Sequence, residues 1–220
     1  FKGFPSSLIL TALALERLAA LRDLCTVRPD DLEISVRYLD NVVASGKPLP
    51  QWQGGITMER YLYVRSMYGY VLPEGVTDDL KKSILRILLP GKAASGRHSG
   101  TILENALHTS TLVRLSAPDC AELLAAWGIR SKRKLFREAS LRIASLADHS
   151  VSRPDGAVYF PNAVMPWRGL LESEAYAHTL LCNLFSSYPE MFSQTLDQSE
   201  AELYERIADG LRLWMMLQKE

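Results

Sequence analysis

The stretch PDGAVYFPNAVMPWRGLLESEAYAHTLL, residues 154–181, runs a Gly- and Pro-punctuated aromatic loop straight into an amphipathic segment. Its second half decides the fold class. Leu170 and Leu171 alone read as strand, but Ala175, Leu180 and Leu181 restore the helical period. In its first half, Gly156 to Val164 alternates weakly and predicts a short hairpin arm, nothing larger. With strand signals this thin, the chain reads as all-α.

The same period recurs on both sides. From Ser6 to Leu24, Leu8, Ala12, Leu15 and Ala19 make one apolar stripe. Leu10, Leu13, Leu21 and Leu24 make a second, so this helix is expected to be sandwiched between neighbours. Arg28-Pro29-Asp30-Asp31 opens the next helix, with acids placed to favour its dipole, and Ser45-Gly46 closes it. Further helices are predicted over 57–70, 78–89, 101–115, 118–127 and 132–146, and the last over 200–219. Helices apolar on two sides alternate with helices apolar on one. That mixture predicts antiparallel pairs in two layers, an α/α-toroid (partial or complete) or a helical-repeat solenoid. No strict internal period favours the solenoid. Residues 1–220 therefore read as a single helical domain.

Composition narrows the function classes. Lys+Arg and Asp+Glu are 25 each, so the net charge is zero and the field a nucleic-acid binder needs is missing. No apolar run is long enough to span a membrane. Cys25, Cys120 and Cys182 are odd in number and widely spaced, which predicts buried thiols, not disulfides or a zinc site. Because the chain begins at Phe1, it reads as a piece of a larger multidomain protein.

Several constellations invite chemistry. Glu174 and His178 lie one helical turn apart, the spacing of a shared proton or two metal ligands. A metal needs more ligands and no HExxH pattern exists, so a helix-surface ion pair or capping contact is the expectation. Asp155, Glu172 and Glu174 flank Tyr159, Phe160 and Trp167, as the carboxylates of a glycosidase flank its sugar platforms. Acids at a helix start and aromatics over the end of a helical core explain the same residues without catalysis. Arg130, Lys132, Arg133, Lys134 and Arg137 form a basic cluster, which with Glu138 beside it reads as a solvated helix face. GKAASGRHSG, residues 91–100, lacks the spacing of a phosphate-binding loop.

Three segments in order resemble the helical thioester-type domain of bacterial alpha-2-macroglobulins. The first is Tyr38-Leu39-Asp40 followed by TMERYLYVRSMYGY, residues 57–70. The second is the loop from Gly156 to Trp167 followed by Leu171-Glu172-Ser173-Glu174-Ala175. The third is LRLWMMLQK, residues 211–219, similar to a family helix of the pattern Leu-x-x-Trp-Leu-x-x-Gln-Lys. The resemblance implies an α/α-toroid within a protease-trapping protein of the periplasm or cell envelope. Thioester members join a Cys thiol to a Gln carbonyl within Cys-x-Glu-Gln. Here Cys120-Ala121-Glu122 is followed by Leu123, which has no carbonyl to acylate, so no thioester can form.

The leading expectation is thus a non-catalytic toroid module that packs against neighbouring domains of its own polypeptide, or holds a captured protease or a peptidoglycan-side partner. No catalytic, cofactor-binding or metal-ligating residue is assigned to it, and no cofactor. The alternative is a carbohydrate-active toroid enzyme, with Glu172 or Glu174 as general acid/base and Trp52 and Trp167 as platforms. The module reading predicts an exposed apolar face; the enzyme reading predicts acids facing a concave pocket at about 5–9.5 Å from one another.

Overall fold

The computed structural model describes residues 7–24, 26–46, 56–68, 78–90, 100–164, 173–193 and 196–218. Among them are nine α-helices and one two-stranded ribbon, so the fold is all-α. The helices are α1 (Leu8–Ala20), α2 (Pro29–Ala44), α3 (Met58–Ser66), α4 (Asp78–Leu88), α5 (Ile102–Arg114), α6 (Ala121–Ala126), α7 (Lys132–Ala147), α8 (Glu174–Met191) and α9 (Gln198–Leu217). A 3-10 turn, Pro118–Cys120, leads into α6. The ribbon pairs β1 (Val151–Ser152) with β2 (Val158–Tyr159) antiparallel, Val151 opposite Tyr159 and Ser152 opposite Val158.

Local chemistry sets the helix ends. The Ser7 hydroxyl accepts from the Leu10 N–H at the start of α1, and Pro29 occupies the first turn of α2, where its missing N–H costs nothing. Reciprocal capping boxes open two helices. Thr101 Oγ1 accepts from the Glu104 N–H at 3.1 Å while Glu104 Oε2 accepts from the Thr101 N–H at 2.9 Å. Asp197 and Glu200 make the same exchange at α9. Gly128, at φ +77°, ends α6 in the left-handed region, and the Ile129 N–H returns to the Leu124 carbonyl at 2.8 Å.

The chain divides into two compact units, Phe1–Gly91 with Arg114–Leu135, and Lys92–Val113 with Phe136–Glu220. In the first unit α1 packs on α2 and α3, and α3 on α4. Its core includes Leu8, Ala12, Leu15, Leu39, Leu62, Ile84 and Trp127. Every residue of α3 from Arg60 to Ser66 is buried, charges included. Asp40 on α2 accepts from Tyr61 Oη at 2.8 Å and from Arg65 Nε at 3.1 Å, and Arg65 also donates to the Tyr68 carbonyl. Arg60 Nη1 reaches Glu16 Oε2 on α1 at 3.2 Å. Burial pushes the Asp40 carboxyl up, Arg65 and Tyr61 pulling it partly back, and pushes the Tyr63 phenol up to about 12. Such pairs add little net stability, but losing one partner strands a charge in the core, so they fix which face of α3 meets α1 and α2.

Of the first stripe of α1, Leu8, Ala12 and Leu15 are buried and Ala19 is half-buried; of the second, Leu13 is half-buried and the rest are exposed. Leu10 is 58% exposed and Leu21 and Leu24 are also exposed, so α1 is packed on one face rather than sandwiched.

In the second unit α8 packs along α9, and β2 lies on α9. Rings run in contact through its core: Phe160 on Phe185 at 6.1 Å, Phe185 on Tyr204 at 5.7 Å, Tyr204 on Tyr188 at 5.9 Å and Tyr188 on Phe192 at 4.3 Å. Here too a charged pair is buried. Arg142 Nε donates to Glu138 Oε1 at 2.7 Å and Arg142 Nη1 to Asn105 Oδ1 at 3.2 Å. Glu138 therefore does not belong to the solvated face of α7; its neighbours Arg133, Lys134 and Arg137 do, as expected.

Candidate functional site

The loop and helix that dominate the sequence come together in the second unit around His178. The hairpin forms because Asp155 and Gly156 suit a tight turn. Gly156 sits at φ +87°, its N–H donates to the Arg153 carbonyl at 3.0 Å, and Asp155 Oδ1 accepts from the Ala157 N–H at 3.1 Å. Asp155 also pairs with Arg153 at 3.0 Å. Its carboxylate builds the turn. Beyond the hairpin, the Ala163 carbonyl accepts from the Leu103 N–H at 3.0 Å and ties the loop to the first turn of α5.

Ser173 caps α8, its hydroxyl accepting from the Tyr176 N–H at 3.1 Å. Four residues further on than Glu174, the ring of His178 is buried, against the expectation of a helix-surface contact. His178 lies on the same helical row as Leu181, Cys182 and Phe185, all buried. That apolar row was the available signal.

Both ring nitrogens are committed. Nδ1 lies 2.7 Å from the Glu174 carbonyl oxygen, so it carries the proton and donates. Nε2 accepts from the Phe160 N–H at 3.0 Å, so it is bare. The imidazole is neutral in this arrangement. Burial lowers its pKa, while the Glu174 carbonyl and carboxylate pull in the opposite direction. On its flat side it stacks on Trp214 of α9, centroids 3.9 Å apart and planes 17° apart. Gly210 completes the seat: a β-carbon there would stand 2.4 Å from Val158 Cγ2, so only glycine lets β2 lie this close to α9.

The Glu174 carboxylate is 3.6 Å from Nδ1 and its side chain is 47% exposed. Its position in the first turn of α8 suits the helix dipole. Glu172, Trp52 and Trp167 lie outside the described residues, as do Cys25 and residues 91–99. Among the described residues no group of three His, Cys, Asp or Glu side chains is placed to hold a metal ion.

A separate open cleft of about 670 Å³ lies between α8 and α9, lined by Ser186, Glu190, Asp197, Glu205, Asp209 and Arg212. No sequence pattern marked it, because its acids come from separate turns of two helices. Arg212 bonds Asp209 and, at 2.6 Å, Ser186 Oγ. Asp197 is occupied as the cap of α9, and the Glu200 N–H holds its carboxyl below the usual range.

The two described cysteines and Lys132 are engaged by the fold. Cys120 Sγ donates to the Ser66 carbonyl and Cys182 Sγ to the Ala208 carbonyl, and burial pushes both thiols up. Lys132 Nζ donates to the Ser116 carbonyl at 3.0 Å. No helix is long and apolar enough to cross a membrane among the described residues. Comparison of the chain with protein-family models, with curated proteins and with solved structures gives no match.

Proposed function

We propose that this chain is a non-catalytic helical packing module, a partial or complete α/α-toroid of the kind found in bacterial alpha-2-macroglobulins, working within a larger protease-trapping protein of the periplasm or cell envelope. The observation that carries the reading is the uncovered apolar face of α1. Leu10 is 58% exposed, and with Leu21 it lies on the side of α1 opposite Leu8, Ala12 and Leu15. An apolar stripe of this kind marks a surface that another element covers. In this reading the cover is a neighbouring domain of the same polypeptide.

Two features support the choice of family. The Tyr-Leu-Asp and Tyr-Leu-Tyr-x-Arg-Ser segments that carry the resemblance meet through Asp40, Tyr61 and Arg65. The loop–helix segment and the Trp214 segment meet through His178. The resemblance thus rests on residues that hold the core together, as expected of a scaffold. Chemistry at the thioester position is absent from the proposal, because Leu123 offers no acyl group.

The test is thiol labelling of a Leu10→Cys variant, read by peptide mass spectrometry at that residue, in the 220-residue chain and in the natural polypeptide that carries it. Labelling at least about tenfold slower in the larger protein is the expected result, since a covered site reacts only through openings that are rarely populated. Equal rates in the two would overturn the module reading.

A further inference from the structure

We propose that His178 is an acid-released clasp: protonation at Nε2 breaks its bond to the Phe160 N–H and frees the hairpin β1–β2 from the face formed by α8 and α9. The hairpin packs on α9 through β2, and His178 supplies the hydrogen bond that ties the residue after β2 to α8. Phe160 N–H donates to Nε2 at 3.0 Å, the Phe160 ring meets the imidazole edge-on at 6.3 Å, and Val158 sits over Gly210. Nδ1 already carries a proton directed at the Glu174 carbonyl. A second proton can add only at Nε2, and it would point at the amide hydrogen of Phe160. Two donors then face each other in a buried site, an arrangement a folded core does not keep.

Among the described residues, few charged groups surround the ring. From α8 the Glu174 carboxylate stands 3.6 Å from Nδ1 and favours the cation. From α9 the ring meets Trp214, while Arg212 and Asp209 are paired with each other. From the hairpin it meets Phe160, while Arg153 and Asp155 are paired at the turn. Desolvation outweighs the single carboxylate, so the clasped ring titrates below a free imidazole. The sign follows. Between the clasped value and about 6.5 the released state binds more protons than the clasped one, so the clasp is complete above about 6.5 and weakens as pH falls. Release uncovers Ala157, Val158 and Phe160, all buried in the clasped arrangement.

The test is amide hydrogen exchange by NMR on the full chain, corrected for the intrinsic pH dependence of exchange. Phe160 is compared with Leu181 and Phe185 of α8. Phe160 protection should fall by up to about tenfold between about pH 7.5 and about pH 5.5, with the two α8 amides unchanged. His178→Gln keeps an oxygen that accepts the Phe160 N–H but cannot titrate, and should flatten the profile. Glu174→Gln removes the carboxylate that favours the cation, and should move release to lower pH. Should H178Q not fold, the wild-type and E174Q profiles still decide. A flat wild-type profile, or loss of Phe160 protection in step with Leu181 and Phe185, would overturn the clasp.

Discussion

Gly210→Ala inverts an ordinary rule. In an exposed helix interior this change stabilises by about 1 kcal/mol, because alanine has the better helix propensity. At residue 210 of α9 the added methyl would stand 2.4 Å from Val158 Cγ2, 2.8 Å from Val158 Cβ and 3.0 Å from the Gly156 carbonyl oxygen. The last two atoms move only with the hairpin backbone. Carbon–carbon contact is comfortable at about 3.5–4.0 Å, so the hairpin must retreat by roughly 1 Å or more. Overpacking of this sort costs about 1–3 kcal/mol. The retreat also stretches the Phe160 N–H bond to His178, worth about 1 kcal/mol when made and more when a buried donor is left orphaned. Setting the propensity gain against these terms, G210A should destabilise the second unit by about 1–3 kcal/mol. Urea unfolding followed by circular dichroism and by exchange of the Leu181 and Phe185 amides measures it. V158A/G210A should recover part of the loss, since Cγ2 is the nearest atom. A G210A chain more stable than wild type by the full helix-propensity gain would refute the close approach of β2 to α9.

Two further outcomes follow from the buried polar groups. Asp40→Asn or Arg65→Met alone should cost about 3–5 kcal/mol in thermal or urea unfolding, while D40L/R65M should recover much of that by removing both charges at once; additive losses would contradict a coupled pair. Cys120 and Cys182 should react with alkylating reagents in the native chain far more slowly than a free thiol and at ordinary rates in urea, because burial both covers them and disfavours the thiolate; rapid native labelling of either would contradict their placement.

What was legible in the sequence was whatever the chain encodes locally. Pro29-Asp30-Asp31, Pro118 and the glycines at 46 and 128 mark helix ends by their own backbone chemistry, and each stands where an end occurs. The first apolar row of α1 identified Leu8, Ala12 and Leu15 as core. Partners distant in sequence were not legible. Nothing near Asp40 says that its carboxylate meets Arg65, and periodicity assigns a charge such as Glu138 to solvent by default. The second stripe of α1 is a true apolar face, but composition cannot say whether this chain or a neighbour covers it. The hairpin was expected from Gly156 onward; its first strand, Val151–Ser152, lies before the turn, where two residues carry no alternation to read. The spacing of His178 from Glu174 suggests a surface contact, but its spacing from Leu181, Cys182 and Phe185 sets it inside. Gly210, in the middle of an otherwise regular helix, is the sequence mark of a close backbone approach.

His178 is a titratable side chain whose two ring nitrogens are both engaged in holding the fold. The direct measurement is the imidazole of His178 itself, by NMR at neutral pH on the labelled chain. We expect the proton on Nδ1 and a coupling across the hydrogen bond from the Phe160 amide nitrogen to Nε2. A proton on Nε2, or an Nε2 with no coupling to Phe160, would leave the ring free for other work and contradict the structural role assigned to it.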